Sequence, residues 1–229
     1  MMPPDLLAAV VVAAGEGRRF GGDKLFSRLG DRVVLAWSLD VLERSPLVSL
    51  VVLVLSAANL EKGQRLVARR GYQKVRAICL GGARRQDSVW NGLQQAAGYA
   101  WVAVQDGARP FLTTEMIARG FDVARQVGGA VAAMPVTDTI KVVQEANLIE
   151  NTPARSQLWA AQTPQIFRYD RLIEAYRTVG QRDVTDESEL MERAGMPTAV
   201  FTGYYDNVKI TTTEDLALAR VIASRQRCA

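Results

Sequence analysis

Histidine does not occur anywhere in the 229 residues of this chain. Its absence removes serine–histidine and cysteine–histidine nucleophilic catalysis, and every metal site built on imidazole. A metal held here must sit among carboxylates, phosphates and water, which points to magnesium. Cysteine is nearly absent too: Cys79 lies inside an apolar strand pattern and Cys228 near the end of the sequence. That leaves no disulfide framework and no metal-ligand spacing, so both are expected to be free thiols. Long apolar runs are also missing. The longest, Leu6 to Ala14, is too short to span a bilayer and has no basic segment before it, so neither an anchor nor a signal peptide is expected and the expected location is cytoplasmic. Nor is there a block of like charge. The net charge is +4, with basic residues scattered among acidic ones, which suits anionic small molecules better than nucleic acid.

What the chain does have is LLAAVVVAAGEGRRFGGDK, from Leu6 to Lys24. A continuous valine-rich run marks a strand buried on both faces of a parallel sheet. It breaks at Gly15-Glu16-Gly17-Arg18-Arg19. Gly15 and Gly17 let backbone N–H groups turn toward a ligand, and Arg18, Arg19 and Lys24 bring positive charge, a combination suited to a triphosphate. The dinucleotide fingerprint would need glycine where Phe20 stands and an acidic strand end where Asp40 falls in a helical pattern. The phosphate loop G-x-x-x-x-G-K-[ST] is also missing, because Lys24 precedes Leu25. A plain structural turn is the competing reading.

Strand and helix signals then alternate. Val33 to Leu42 has helical spacing and stops before Pro46, Ser49 to Leu55 is a second buried strand, and Ser56 is placed as the N-cap of a helix running to about Arg70. Val75 to Leu80 forms a third strand. It ends in a second glycine-rich turn, Gly81 to Ser88, able to face the first across a crevice. Ordinary helix capping is the competing reading for Asp87 and Ser88, and for Asp87 the two readings weigh equally. Ala100 to Gln105 is followed by Asp106-Gly107-Ala108-Arg109-Pro110. A carboxylate at the C-terminal tip of a central parallel strand points into the crevice where open α/β sheets bind ligands, which makes Asp106 the first candidate metal ligand. A turn-forming aspartate before glycine is the blander alternative.

Thr114 to Val127 reads as a helix and Ala130 to Met134 as a strand, after which the rhythm breaks. Thr139 to Asn151 alternates imperfectly about a Glu-Ala-Asn turn, and Gln157 to Gln162 is extended. Residues from about 137 to 162 are therefore expected to form a protruding β-arm, whose apolar Ile140, Val142, Val143 and Leu148 favour an interface over a plain surface hairpin. A helix from about Tyr169 to Thr178, a helix opened by Asp186 and Glu189 at capping-box spacing, a last strand from Thr198 to Tyr204, and a final helix capped by Thr211 and Glu214 complete the pattern. Asp206 stands just past that strand with Lys209 three residues beyond, and with Asp106 they are expected to form one cluster. The predicted fold is a single α/β domain over residues 1–229, a Rossmann-like, mostly parallel sheet flanked by helices, with the β-arm added.

The ordered set VVVAAGEGRRFGGDK, GGARRQDSV, QDGARP, PVTDTIK, LWAAQTPQIF, DVTDE and YYDNVKIT, running from about Val10 to Arg220, resembles the 2-C-methyl-D-erythritol 4-phosphate cytidylyltransferases. The resemblance implies transfer of a cytidylyl group from CTP to methylerythritol phosphate, with release of pyrophosphate, in the non-mevalonate isoprenoid pathway. It further implies Mg2+ as cofactor and a homodimer in which the arm swaps across. Nucleotide contacts would run along Ala13, Ala14, Gly15 and Gly17, with Asp106 nearby. Cytosine would be read by the backbone of Gly82 and Ala83 and by Ser88, with Arg85 in support. Ala83 replaces the acidic residue common in the family, so only main chain is available there. Arg19, Lys24 and Lys209 would be catalytic, and Asp106 and Asp206 would hold the metal. Arg109, Thr139, Arg155, Thr163, Thr185 and Lys209 would bind the acceptor, with Thr139 and Arg155 serving the sugar phosphate. A phosphate monoester is already a nucleophilic anion, so the missing histidine is no obstacle. Two other readings stay open: a cytidylyltransferase for another polyol phosphate such as ribitol 5-phosphate, and a nucleotide-binding regulatory module without turnover.

Overall fold

The first strand, β1 (Leu7–Ala13), lies where its composition requires, in the middle of a sheet with helices on both faces. Leu7 through Val11 are fully buried, and alternate side chains go to opposite faces, the period-two geometry of a strand. This computed structural model describes residues 6–226 except 16, 18 and 181; the expected roles of Arg18 and Cys228 therefore lie outside the described residues.

In chain order, β1 is followed by a small hairpin of β2 (Arg28–Leu29) and β3 (Arg32–Val33), which the sequence pattern did not announce, and by α1 (Val34–Arg44). Next come β4 (Val48–Leu55), α2 (Leu60–Arg70), β5 (Val75–Leu80), α3 (Arg85–Gln94), β6 (Trp101–Asp106), α4 (Thr114–Val127) and β7 (Gly129–Pro135). The arm carries β8 (Val142–Val143) and β9 (Ile149–Asn151), and leads into β10 (Trp159–Arg168). The chain ends with α5 (Tyr169–Val179), α6 (Glu187–Arg193), β11 (Ala199–Thr202) and α7 (Thr213–Gln226).

The main sheet has seven strands in the order β11-β7-β10-β6-β1-β4-β5. β1 pairs in parallel with β4 and β6, β4 with β5, and β11 with β7. β10 runs antiparallel to both β6 and β7, so the sheet is mostly parallel with one reversed strand in its interior. On one face Leu7, Ala9 and Val11 pack against Leu35 and Leu39 of α1 and Met116, Ile117 and Phe121 of α4. On the other, Ala8 and Val10 meet Val89 and Leu93 of α3, Leu172 and Tyr176 of α5, and Leu190 and Met191 of α6. Each fully buried branched or aromatic side chain of this kind contributes roughly 1.5–3 kcal/mol. A third cluster seats α7 through Leu216, Ala219 and Ile222 on Leu29, Phe111 and Ile210.

Several local expectations need correction. Ser56 caps nothing with its side chain; a 3-10 turn, Ala57–Asn59, intervenes and α2 starts at Leu60. The last strand is shorter than expected, Ala199–Thr202. The capping box of α7 is shifted: Asp215 Oδ2 accepts the N–H groups of Thr211 and Thr212 while its own N–H is given to Thr212 Oγ1. Asp186 does cap α6 through Glu189 N–H, but Glu189 Oε2 accepts from Thr185 N–H instead of closing the box. The extended piece expected to stop at Gln162 continues as β10 into the centre of the sheet. Pro164 sits within a register shift between Ala161 and Gln165, where a residue without N–H is tolerated. The arm itself is a hairpin turning at Glu145–Asn147, with Ala146 and Asn147 at positive φ of 63° and 60°.

Candidate active site

The site forms where β1, β5 and β6 end. Gly107 N–H donates to Val12 C=O at 2.9 Å, tying the tip of β6 to β1, and Gly81 N–H donates to Leu55 C=O at 2.9 Å, tying the tip of β5 to β4. A Cβ on Gly81 would collide with Ala14 Cβ and Ser88 Oγ, and one on Gly107 would stand 3.1 Å from Ala13 Cβ. Ala13 and Ala14 are thus the floor on which the other two loops rest. In the first loop Gly17 has φ +65°, and Phe20 N–H donates to its carbonyl at 2.8 Å, so the chain doubles back at that point. Asp23, not anticipated as important, anchors the far side of this loop through Lys62 Nζ at 2.6 Å and Asn59 Nδ2 at 3.2 Å.

Lys24 follows. Its ammonium is pushed below the ordinary value, first by burial and then by Lys209 and Arg19, with Asp106 opposing. Two cations of the first loop and one from the turn after β11 therefore act on one another, with Asp106 and Asp215 opposing them.

Asp106 is that carboxylate, only 6 % exposed. Lys209 Nζ lies 2.8 Å from Oδ2, Arg85 Nη2 3.3 Å from Oδ1, and Arg109 Nε 3.7 Å from Oδ2. Burial by itself would raise the Asp106 carboxyl, but Arg85, Lys209 and Arg109 reverse this and hold it well below the ordinary carboxylate range. Its backbone N–H donates to Thr163 Oγ1 at 3.1 Å. Thr163 is buried and also gives its carbonyl to Asn207 Nδ2 at 2.8 Å, so it braces the tip of β6. Arg109 donates to the carbonyls of Asn207 at 2.7 Å and Ala161 at 3.3 Å, pinning the loop after β6 to the turn after β11. Arg109 Nε, Gln105 Oε1 and Asn207 Oδ1 are buried without hydrogen-bond partners, a local concentration of unmet polar capacity.

In the second glycine-rich turn, Asp87 Oδ2 accepts from Arg84 N–H at 3.1 Å, so the capping reading of Asp87 holds. Ser88 Oγ donates to Arg84 C=O and accepts from Gly82 N–H, both at 3.1 Å. Its proton is spent, which leaves acceptor capacity alone for a base. Gly82 and Ala83 are exposed beside it. Arg85 has a second partner: Glu187 of α6, fully buried, takes Arg85 Nη1 on both carboxylate oxygens at 2.9 Å.

The remaining expected residues lie further out. Thr185 is held at the surface end of α6, and its hydroxyl donates to Glu189 Oε2 at 2.8 Å. Thr139 and Arg155 lie on the arm, both exposed, with Arg155 Nη1 donating to Thr137 C=O at 2.8 Å. Asp206 is exposed at the turn after β11, where its carbonyl accepts from Val208 N–H. Among the described residues no group of three or more His, Cys, Asp or Glu side chains is arranged to hold a metal. The buried carboxylate of Asp106 suits a magnesium ion that takes most of its ligands from phosphates and water, with the exposed Asp206 on the turn after β11 as the second candidate. Sequence reasoning missed Glu187, Asn207 and Asp23, each of which sits in a segment with an ordinary capping or turn explanation. A separate cleft of about 560 Å³, lined by Val131, Ala133, Trp159, Met196 and Val200 among others, contains none of the predicted site residues. No helix among the described residues is long and apolar enough to cross a membrane.

A family model described as 2-C-methyl-D-erythritol 4-phosphate cytidylyltransferase matches residues 7–225. A protein of that name from Dehalococcoides mccartyi is 45% identical over 96% of this chain and 97% of its own length. One from Geobacter metallireducens is 42% identical over 92% and 94%. The solved 4-diphosphocytidyl-2C-methyl-D-erythritol synthase of Anaerococcus prevotii has a TM-score of 0.86 at 25% identity, covering 96% of this chain and 97% of that one. The corresponding cytidylyltransferase of Thermus thermophilus has a TM-score of 0.76 at 29% identity, covering 96% and 99%. With a buried, ionised aspartate ringed by cations at the tips of its parallel strands and likeness over nearly its full length, this chain belongs to the 2-C-methyl-D-erythritol 4-phosphate cytidylyltransferase family.

Proposed function

We propose that this nucleotidyltransferase moves the cytidylyl group of CTP onto the phosphate of 2-C-methyl-D-erythritol 4-phosphate, by the following division of labour. The observation that carries it is the gathering of Lys24, Arg109 and Lys209 about Asp106, with Arg19 close enough to act on Lys24. An acceptor phosphate oxygen attacks the α-phosphorus of CTP, the bond to the β-phosphate breaks, and pyrophosphate leaves. Both reactants are anions, so the obstacle is charge and orientation, and no proton need be removed. Lys24 and Arg19 stabilise the crowded α-phosphoryl group and the departing pyrophosphate. Lys209 orients the attacking phosphate, and Arg109, ion-paired with Asp106, adds positive charge. Gly82 and Ala83, both exposed, with the Gly82 carbonyl, the Ala83 main chain and the acceptor capacity of Ser88, suit the base. Asp106 and Asp206 would hold magnesium, which when bound neutralises triphosphate charge.

On the acceptor side Thr163, Thr185, Thr139 and Arg155 complete the pocket, the last two from the arm of a second copy. The arm's exposed Val143, Leu148 and Ile149 support a homodimer built on it. A cytoplasmic setting suits soluble, charged reactants. The test is pyrophosphate release by purified protein with CTP and magnesium, offering methylerythritol 4-phosphate or ribitol 5-phosphate. Turnover with the first alone supports the reading; turnover with ribitol 5-phosphate alone would overturn the acceptor, and none with either would leave a regulatory nucleotide binder.

A further inference from the structure

We propose that Glu187 is a positioning residue for the nucleotide site, acting through Arg85 to keep Asp106 from being neutralised by its own neighbour. The inference rests on the cytidylyltransferase reading and adds a residue that no expectation singled out.

Arg85 stands between two buried carboxylates. Its Nη1 is shared by both oxygens of Glu187 at 2.9 Å and 2.9 Å, while its Nε and Nη2 reach Asp106 Oδ1 at 3.3 Å and 3.3 Å. The guanidinium is planar and rigid, so a close grip on one edge dictates how near the other edge can come. Glu187 wins that competition. Asp106 Oδ1 is left with two long contacts, and so retains capacity for a cation brought in with the triphosphate.

Glu187 is itself firmly placed. It is completely buried, it begins α6, and Tyr176 Oη of α5 lies 3.5 Å from Oε1. The segment leading to it is held to α3 by neighbours of Arg85. Gln86 Nε2 donates to Arg182 C=O at 3.0 Å, Gln86 Oε1 accepts from Val184 N–H at 3.0 Å, and Arg84 Nη1 pairs with Asp183 Oδ1 at 2.7 Å. Arg84, Arg85 and Gln86 thus dock three consecutive side chains onto the stretch that carries both Thr185 and Glu187. A buried carboxylate gripping an arginine with both oxygens would ordinarily be read as a structural tie. What separates this pair from such a tie is that its arginine also touches the carboxylate at the centre of the site.

Replacing Glu187 by an uncharged isostere should let Arg85 close on Asp106 and weaken the site for a metal-bound nucleotide. The experiment is calorimetric titration of the full chain with CTP and magnesium, together with KM for CTP and kcat, in wild type, E187Q, E187D, R85Q and R85Q/E187Q. We expect E187Q to weaken CTP binding and raise its KM about tenfold with a smaller change in kcat. E187D should recover at least part of this, and E187Q should add nothing in the R85Q background. A lowered melting temperature with unchanged CTP affinity and KM would overturn the proposal, as would equal effects of E187Q with and without Arg85. If E187Q does not accumulate as folded protein, E187D against R85Q/E187D provides the same comparison. Wild-type protein that binds CTP but transfers nothing to methylerythritol 4-phosphate would sink the functional reading and leave the binding comparison valid.

Discussion

Lys209 Nζ lies 2.8 Å from Asp106 Oδ2, an ion pair that links the turn after β11 directly to the carboxylate at the tip of β6. The lysine is only half-buried, so its ammonium is free to move toward an arriving phosphate while the carboxylate stays fixed. Lys209→Met should therefore lower kcat by about a hundredfold, as for the loss of one preorganised charge at a phosphoryl site, and shift Tm little. Steady-state kinetics beside a melting curve checks both parts; a large fall in Tm with kcat retained would make Lys209 a structural tie.

Lys24 provides a pH signature. Burial and the nearby Lys209 and Arg19 lower its pKa in the free enzyme, whereas bound phosphates favour its charged form. Since kcat/KM reports free enzyme and kcat the complex, the alkaline fall of kcat/KM for CTP should begin at lower pH than that of kcat. In Lys24→Arg, whose side chain keeps its charge, that early limb should disappear. Identical alkaline limbs in wild type and variant would remove Lys24 from the titration.

The first loop depends on Gly17 for two reasons at once. Its φ of +65° disfavours any side chain, and a Cβ would stand 2.7 Å from the Gly22 carbonyl oxygen. Gly17→Ala should cost about 1–3 kcal/mol of local conformational energy and weaken CTP binding about tenfold or more. Gly21 shares the positive φ, at +71°, but has open space around its Cβ position, so Gly21→Ala should be the milder change. Calorimetric CTP titration of the two variants tests the order.

Acid stability should depend on Asp40, far from the chemistry. Its Oδ1 accepts from Tyr72 Oη at 2.6 Å and its Oδ2 from Arg70 Nη2 at 2.6 Å, with Arg32 alongside. Burial raises its pKa, but Arg70, Tyr72 and Arg32 together carry it below the ordinary 3.8. A carboxylate depressed in the folded state adds stability above its unfolded value and loses it as pH falls through the folded one. Asp40→Asn should be less stable by about 2 kcal/mol at neutral pH, a figure reduced for the partial exposure of both arginines. The difference should shrink below pH 3.8. Urea denaturation across the acid range would show this convergence, and parallel curves would contradict it.

The arm offers a test of assembly. Leu148 and Ile149 are 66% and 62% exposed in the single chain, an unfavourable arrangement unless another copy covers them. Leu148→Asp should shift the species seen by light scattering from dimer to monomer and reduce turnover with it. A monomeric wild type, or a fully active monomeric variant, would dissociate the arm from catalysis.

Much of this molecule was legible locally. The valine-rich runs of β1 and β4 announce strands buried on both faces, because only a doubly covered parallel strand has no need of polar alternation. Glycines at the strand ends mark turns that must let backbones approach, and Gly17, Gly81 and Gly107 do so here. Asp106 was legible from its address at a strand tip, and the ordered motifs named the family. Tertiary structure decided the rest. Whether residues past Gln162 leave the sheet or enter it depends on pairing with β6 and β7, which Thr163-Pro164 hides behind a local break signal. That Ser88 spends its proton on Arg84, that Thr163 braces Asp106, and that Glu187 is buried against Arg85 are contacts between groups whose own neighbourhoods suggest only caps and turns. The reason is physical: a charge's role is set by what desolvates it and what faces it, and for Arg85 and Glu187 both are supplied by segments about a hundred residues apart in the chain.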